Sequence, residues 1–201
     1  MYGLIRAAIV IALVAVTFSL SFLLKVKLKE KHLLIVIGIS AVVISIFPIE
    51  NVFYTFDSPD EVYRYMSFEN TEIDVWVEGD KCDYVIGKTT EEGKFAKMII
   101  PKTDSGYKIR MGLKTKTQTI WDGIPNGCTV FTTEYGEDLF VEISFITPGA
   151  HEVTSDEDID FTSRKHSVSE GEEFFEHYYV HVSDKESFKL YIDGTEVDVI
   201  R

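Results

Sequence analysis

Two uncharged runs at the start of the chain constrain it more than anything after them. Ala7 to Leu24 is 18 residues without a charge, and Leu33 to Ile49 is 17 more. Between them lies Lys25-Val-Lys-Leu-Lys-Glu-Lys-His32, with four lysines and one glutamate. As helices rising about 1.5 Å per residue, each run nearly spans a hydrocarbon core of roughly 30 Å. Lipid offers backbone groups no other partner, so helix is the expected state. The basic connector places the turn in the cytoplasm. The sequence therefore predicts a transmembrane helical hairpin over 1–52, with spans at about 4–24 and 33–49 and a cytoplasmic loop at 25–32. Everything from 53 to 201 then lies outside.

A second reading makes 1–24 a cleaved signal peptide. The run is long for a signal and has no small-x-small site before Lys25, which favours a retained span. Arg6 must then reach the headgroups by snorkelling. Tyr2, Phe53 and Tyr54 fall where interfacial aromatics belong. The polar residues within the spans are Thr17, Ser19, Ser21, Ser40 and Ser45, and with Gly38 they suit helix packing rather than ion conduction.

The formal charge of −13 is unevenly shared. Residues 50–201 hold 15 basic and 32 acidic side chains, a balance of −17. That argues against nucleic acid as a partner and against electrostatic docking on anionic lipid. Within the outer part, 88–116 hold eight Lys/Arg and three acids, whereas 134–176 hold two and thirteen. If the first group shares a face, it is a basic patch suited to a polyanion or another envelope component.

Ser58-Pro59-Asp60-Glu61 reads as a helix start, with Ser58 as cap and Glu61 at capping-box spacing, and predicts a short helix over 58–67. From Thr71 the apolar period falls to two. Ile73, Val75 and Val77, then Cys82, Tyr84 and Ile86, then Lys94–Ile100, then Tyr107, Ile109 and Met111 read as successive strands. Cys128–Thr133, Leu139–Phe145, Phe174–Val182, Ser187–Ile192 and Glu196–Ile200 continue the series, the last two joined by the hairpin turn Asp193-Gly194. Residues 147–173, with eight acidic side chains, read as a long flexible loop. The pattern predicts a mainly β domain over 53–201, a β-sandwich or partly open β-barrel with one short helix.

Chemical motifs are sparse. Asp156-Glu-Asp-Ile-Asp160 spaces carboxylates as a calcium loop does but has Phe161 where glycine is needed. His177 and His181 are four apart without a third ligand, and Tyr178, Val180 and Val182 read as the buried face, which turns the histidines to solvent. His151-Glu152 lacks a zinc-protease partner. No metal, cofactor or catalytic residue is assigned. Cys82 and Cys128 are a candidate disulfide in an outer domain. The binding candidates are Trp76, Trp121, Lys108, Arg110, Lys114 and Lys116, because binding hot spots favour aromatic and arginine side chains.

The stretch Phe53-Tyr-Thr-Phe-Asp-Ser-Pro-Asp-Glu-Val-Tyr-Arg-Tyr65, placed directly after a membrane segment, and the closing Leu190-Tyr-Ile-Asp-Gly-Thr-Glu-Val197 resemble uncharacterised membrane-anchored proteins of Gram-positive bacteria. The resemblance implies a cell-envelope location and carries no activity. The expectation is a multi-pass protein of the cell membrane whose C-terminal domain is an extracytoplasmic, non-catalytic binding or interaction module. Its partners are the bilayer, through the hairpin, and an envelope protein or polyanion. An envelope hydrolase with a strand-assembled site and a small immunity-type membrane protein are the alternatives.

Overall fold

A computed structural model describes residues 2–23, 25, 29–44, 48–67, 72–88, 95–124, 127–156, 159–167, 174–183 and 188–200. The first helix, α1, is Tyr2–Leu23, and the second, α2, is Glu30–Ile44. The Ile5–Leu23 stretch is long and apolar enough to cross a membrane, a property that signal sequences share. The second expected span is not met among the described residues. The 15 residues of α2 make a rod of roughly 22 Å, short of the hydrocarbon core. Nonetheless α1 and α2 lie against each other, and their remaining faces carry exposed Phe18, Phe22, Leu34 and Ile37.

Two short helices follow, α3 (Glu50–Phe53) and α4 (Pro59–Met66). The start of α4 is as its sequence predicts. Ser58 Oγ accepts from the Glu61 N–H at 3.2 Å, and Glu61 reaches back to the Asp57 N–H at 3.0 Å. The second half of this box closes one residue earlier than in the usual pattern.

The rest is antiparallel β structure in three open sheets, not a two-sheet sandwich or a barrel. The first sheet orders β1 (Ile73–Glu78), β2 (Cys82–Lys88), β3 (Phe95–Thr103) and β4 (Gly106–Tyr107). The second contains β5 (Thr115–Ile120), β6 (Cys128–Tyr135), β7 (Asp138–Phe145), β10 (Phe174–Val182) and β9 (Thr162–Ser167), in that spatial order. In the third, β11 (Leu190–Ile192) lies between β12 (Thr195–Val197) and β8 (Val153–Ser155). Two strands, β8 and β9, thus fall inside 147–173, which composition marks as loop. Their few apolar side chains suffice because neighbouring strands supply the rest of the cover.

Alternation along each strand builds the layers. Val62 and Tyr63 of α4 pack with Val85 and Ile100 on one face of the first sheet. Its other face sends Val75, Tyr84, Ile86 and Ile99 against Phe140 and Tyr179 of the second. The far face of the second sheet, with Leu139, Val141, Ile143 and Val180, packs on Leu190, Ile192 and Val197 of the third. Each such fully buried aliphatic contributes about 1.5–3 kcal/mol by leaving water. Gly87 is set by this packing: a Cβ there would meet the Tyr63 hydroxyl at 1.6 Å.

Being covered on both faces, the second sheet departs from the in–out reading of β7. Glu142 is buried, accepts from the Tyr84 hydroxyl at 3.1 Å, and pairs with Lys97 at 2.7 Å. The Tyr84 phenol is pushed well above its ordinary range by burial and by that carboxylate. The cysteines are free. Cys82 belongs to the core between the first and second sheets and Cys128 to the core on the far face, so the candidate bridge does not form.

Candidate functional site

Of Tyr107–Met111, expected as a strand, only Tyr107 belongs to one; the ladder with β3 ends where the Lys108 N–H donates to the Pro101 carbonyl at 3.0 Å, and Ile109 has no strand partner among the described residues. A side chain replaces it. Asn51 Nδ2 donates to the Ile109 carbonyl at 2.7 Å, and its Oδ1 accepts from the Ile109 N–H at 2.8 Å. Lys108 Nζ donates to the carbonyls of Asn51 and Tyr54 at 3.0 and 2.8 Å and to Thr55 Oγ1 at 2.7 Å, which satisfies the end of α3. At the start of α3, Glu50 accepts from Arg6 at 3.1 and 2.7 Å and from the Tyr65 hydroxyl at 3.1 Å. Arg6 is therefore buried in an ion pair, not snorkelling. Burial opposes the charge on Glu50, but Arg6 and the hydrogen bonds prevail and hold its carboxyl below the ordinary value.

These bonds frame a cleft of about 610 Å³ between the segment after α2 and the edge of the first sheet. Its apolar walls are Pro48, Pro101, Ile109, Met111 and the Tyr135 ring; its polar lining is Asn51, Thr103, Lys102, Lys108 and Arg110. On a chain of charge −13 its lining holds, among the described residues, three cations and no acid. The cations are not equivalent. Lys102 lies 2.9 Å from Asp83 and 3.1 Å from Glu78 and is neutralised by them. All three acceptors of Lys108 are neutral. The Arg110 guanidinium rests 4.5 Å from the Tyr135 ring centre, and no carboxylate among the described residues pairs with it. Arg110 also borders a smaller hollow of about 140 Å³ shared with Met66 and Met98.

Of the six binding candidates, the structure brings together only Lys108 and Arg110. Lys114 is exposed beyond the cleft. Lys116 lies on β5, 3.8 Å from Glu134. Trp76 is half exposed on the outer strand β1, and Trp121 is exposed after β5, its ring over Gly127. Sequence reasoning missed Lys102, Asn51 and Tyr135, which come from three separate segments. Only the run of cations from 88 to 116 hints at the first.

Two other polar clusters lie apart from the cleft. Asp80, Asp138 and His181 place ligand atoms within 4.8 Å of one another. The Asp138 carboxylate, however, already accepts the N–H groups of Asp80, Lys81 and Cys82 at 2.8–3.0 Å and meets His181 Nε2 at 2.8 Å. It clamps the β1–β2 turn onto the second sheet. A cation held by these three would have to break the hydrogen bond between Asp138 and His181. Burial opposes the charge on Asp138, yet the Lys81 N–H, His181 and the Asp80 N–H prevail and hold its carboxyl below the usual range. His181 thus faces inward beside buried Tyr179, a correction to the solvent-facing expectation; the first sheet covers that face. The second cluster is His151, stacked on Phe145 at 3.7 Å, with Nδ1 2.8 Å from Asp193. Its Nε2 is buried without a hydrogen-bond partner. Of the calcium-like run, 157–158 lie outside the described residues; Asp156 Oδ1 accepts from the Lys189 N–H at 2.9 Å. His166 lies where its side chain is outside them too.

No protein family, curated protein or solved structure matches the chain.

Proposed function

We propose that this chain is a membrane-anchored binding module of the bacterial envelope, with the β region extracytoplasmic and the cleft beside α3 as its ligand surface. The observation that carries this reading is the cleft itself, whose lining among the described residues has no acid and whose Lys108 and Arg110 pair with no carboxylate among them. A volume of this size and a largely apolar wall with a few fixed polar groups are what small-ligand sites offer. A two-span hairpin is part of the proposal. It is supported by the contact of α1 with α2, by the Arg6–Glu50 pair joining their far ends, and by the lysines of the connector. The envelope setting draws on the resemblance of 53–65 and 190–197 to anchored proteins of Gram-positive bacteria.

The hydrolase alternative has one observation in its favour: Asp193 orients His151 through Nδ1, as the partner of a general base does, although the His151 Nε2 is buried and would have to be uncovered to meet a substrate. The test is a comparison of variants at equal cellular abundance. Arg110→Glu is expected to abolish the cellular phenotype of the protein, while His151→Gln and His181→Gln leave it largely intact. Loss of function in His151→Gln with fold retained, and none in Arg110→Glu, reverses the assignment.

A further inference from the structure

We propose that the cleft holds the phosphodiester headgroup of an anionic lipid from the leaflet it faces, a step that rests on the anchored binding-module reading. The Tyr135 ring occupies one face of the Arg110 guanidinium and leaves its N–H edge available. That planar fork matches two phosphodiester oxygens. Lys108 adds a second positive charge that neutral acceptors fix in position. Among the described residues no acid lines the cleft, and the nearby Asp83 and Glu78 are paired with Lys102.

The depth of the site favours lipid over free phosphate. Pro48 lies between α2 and α3, and Asn51 is the second residue of α3. The next three residues of the chain expose apolar surface: Val52 at 68%, Phe53 at 87% and Tyr54 at 54%. The run keeps this exposure although the Tyr54 ring meets the Phe56 ring edge to face at 4.8 Å. At a bilayer interface it is an aromatic anchor, and its insertion sets the mouth of the cleft at headgroup level. Pro48, Ile109 and Met111 then face the glycerol and first methylenes, contacts a free phosphate cannot use. The balance of −17 in residues 50–201 disfavours spread electrostatic docking, but charges beyond about 8 Å are largely screened. A headgroup in contact therefore responds mainly to Arg110 and Lys108.

The full chain is reconstituted in nanodiscs of phosphatidylcholine containing phosphatidylglycerol, extracted in mild detergent, and its retained lipid identified by native mass spectrometry. The wild type should keep one phosphatidylglycerol in preference to phosphatidylcholine. Arg110→Gln should weaken retention about tenfold or more, the usual scale for a charge-assisted pair. Arg110→Lys, which keeps the charge without the fork, should fall between, and Lys114→Gln, outside the cleft, should match wild type. Thermal unfolding of each variant separates lost binding from lost fold. Equal retention of the two lipids, or undiminished retention by Arg110→Gln, overturns the proposal. So does displacement by dissolved glycerol phosphate at concentrations no higher than those of the lipid. If lipid retention fails while Arg110→Glu still abolishes the cellular phenotype, the lipid is wrong and the module stands; if both fail, both readings fall.

Discussion

The side chain of Asn51 closes both backbone hydrogen bonds of Ile109, at 2.7 and 2.8 Å, as a neighbouring strand would. Ile109 is 2% exposed, so water cannot replace a lost partner. Asn51→Ala should cost about 1–3 kcal/mol, the scale for leaving buried polar groups unpaired. For a chain of this size the unfolding midpoint should fall by roughly 2–12 °C. Asn51→Asp should not restore it, because a carboxylate cannot donate to the Ile109 carbonyl. Scanning calorimetry of the full chain in detergent checks both.

Asp138 should govern the acid limb of stability. Its folded carboxyl titrates below its unfolded value of about 3.9. The stabilisation is therefore complete above that value and is lost as pH falls through the folded one. Asp138→Asn removes this dependence while its amide can still hydrogen-bond to His181. Urea titrations at a series of acidic pH values should show a smaller loss of stability between about pH 5 and 2 in Asp138→Asn than in wild type. An unchanged slope there would assign acid sensitivity elsewhere.

Both thiols should be silent in the native state. Burial pushes Cys128 up to about 11, and burial with the nearby Asp138 carboxylate pushes Cys82 further. Reactivity follows the thiolate, and neither group is exposed. A colourless disulfide reagent should report no free thiol in the folded chain and two after denaturation. Two unreactive sulfurs after denaturation without reductant would reveal a bridge.

Gly87→Ala should be among the most damaging single-methyl changes in the β region. The added carbon meets the Tyr63 hydroxyl and ring, both fully enclosed between α4 and the first sheet. Overpacking of this kind costs about 1–3 kcal/mol or more. Gly136→Ala, at φ +59 with open space around it, is the comparison, expected at about 1 kcal/mol for the backbone conformation alone. Equal losses in the two variants would mean that Tyr63 moves freely.

What the sequence made legible was local. Ser58 and Glu61 mark a helix start because a cap acts within one turn. Asp193-Gly194 marks a hairpin because both residues take positive φ, +50 and +78, as the tight turn demands. The strands of the first sheet follow from alternation, except where the β1–β2 register shifts between Ile73 and Val75 and turns Ile73 to the α4 side. Long-range pairings were not legible. Glu142 reads as a solvent residue until Lys97 and Tyr84 arrive from another sheet. Tyr107–Met111 reads as a strand because its apolar period is two, yet its partner at Ile109 is one asparagine side chain 58 residues away. The cleft was half visible, as a run of cations; that Lys102 is neutralised and Arg110 is not depends on Asp83 and Tyr135, which no spacing links to it.

The central claim is that α3 and the cleft lie on a membrane surface. Spin labels at Phe53→Cys and at Asp198→Cys, in the third sheet, test it in the full chain reconstituted in bilayers. The native thiols are buried and need not be removed. Collision with oxygen and with a water-soluble nickel chelate measures the depth of each label. Position 53 should favour oxygen and lie at the headgroup–acyl boundary, while position 198 should be open to nickel. Equal access of nickel to both positions would place α3 in water and contradict the account.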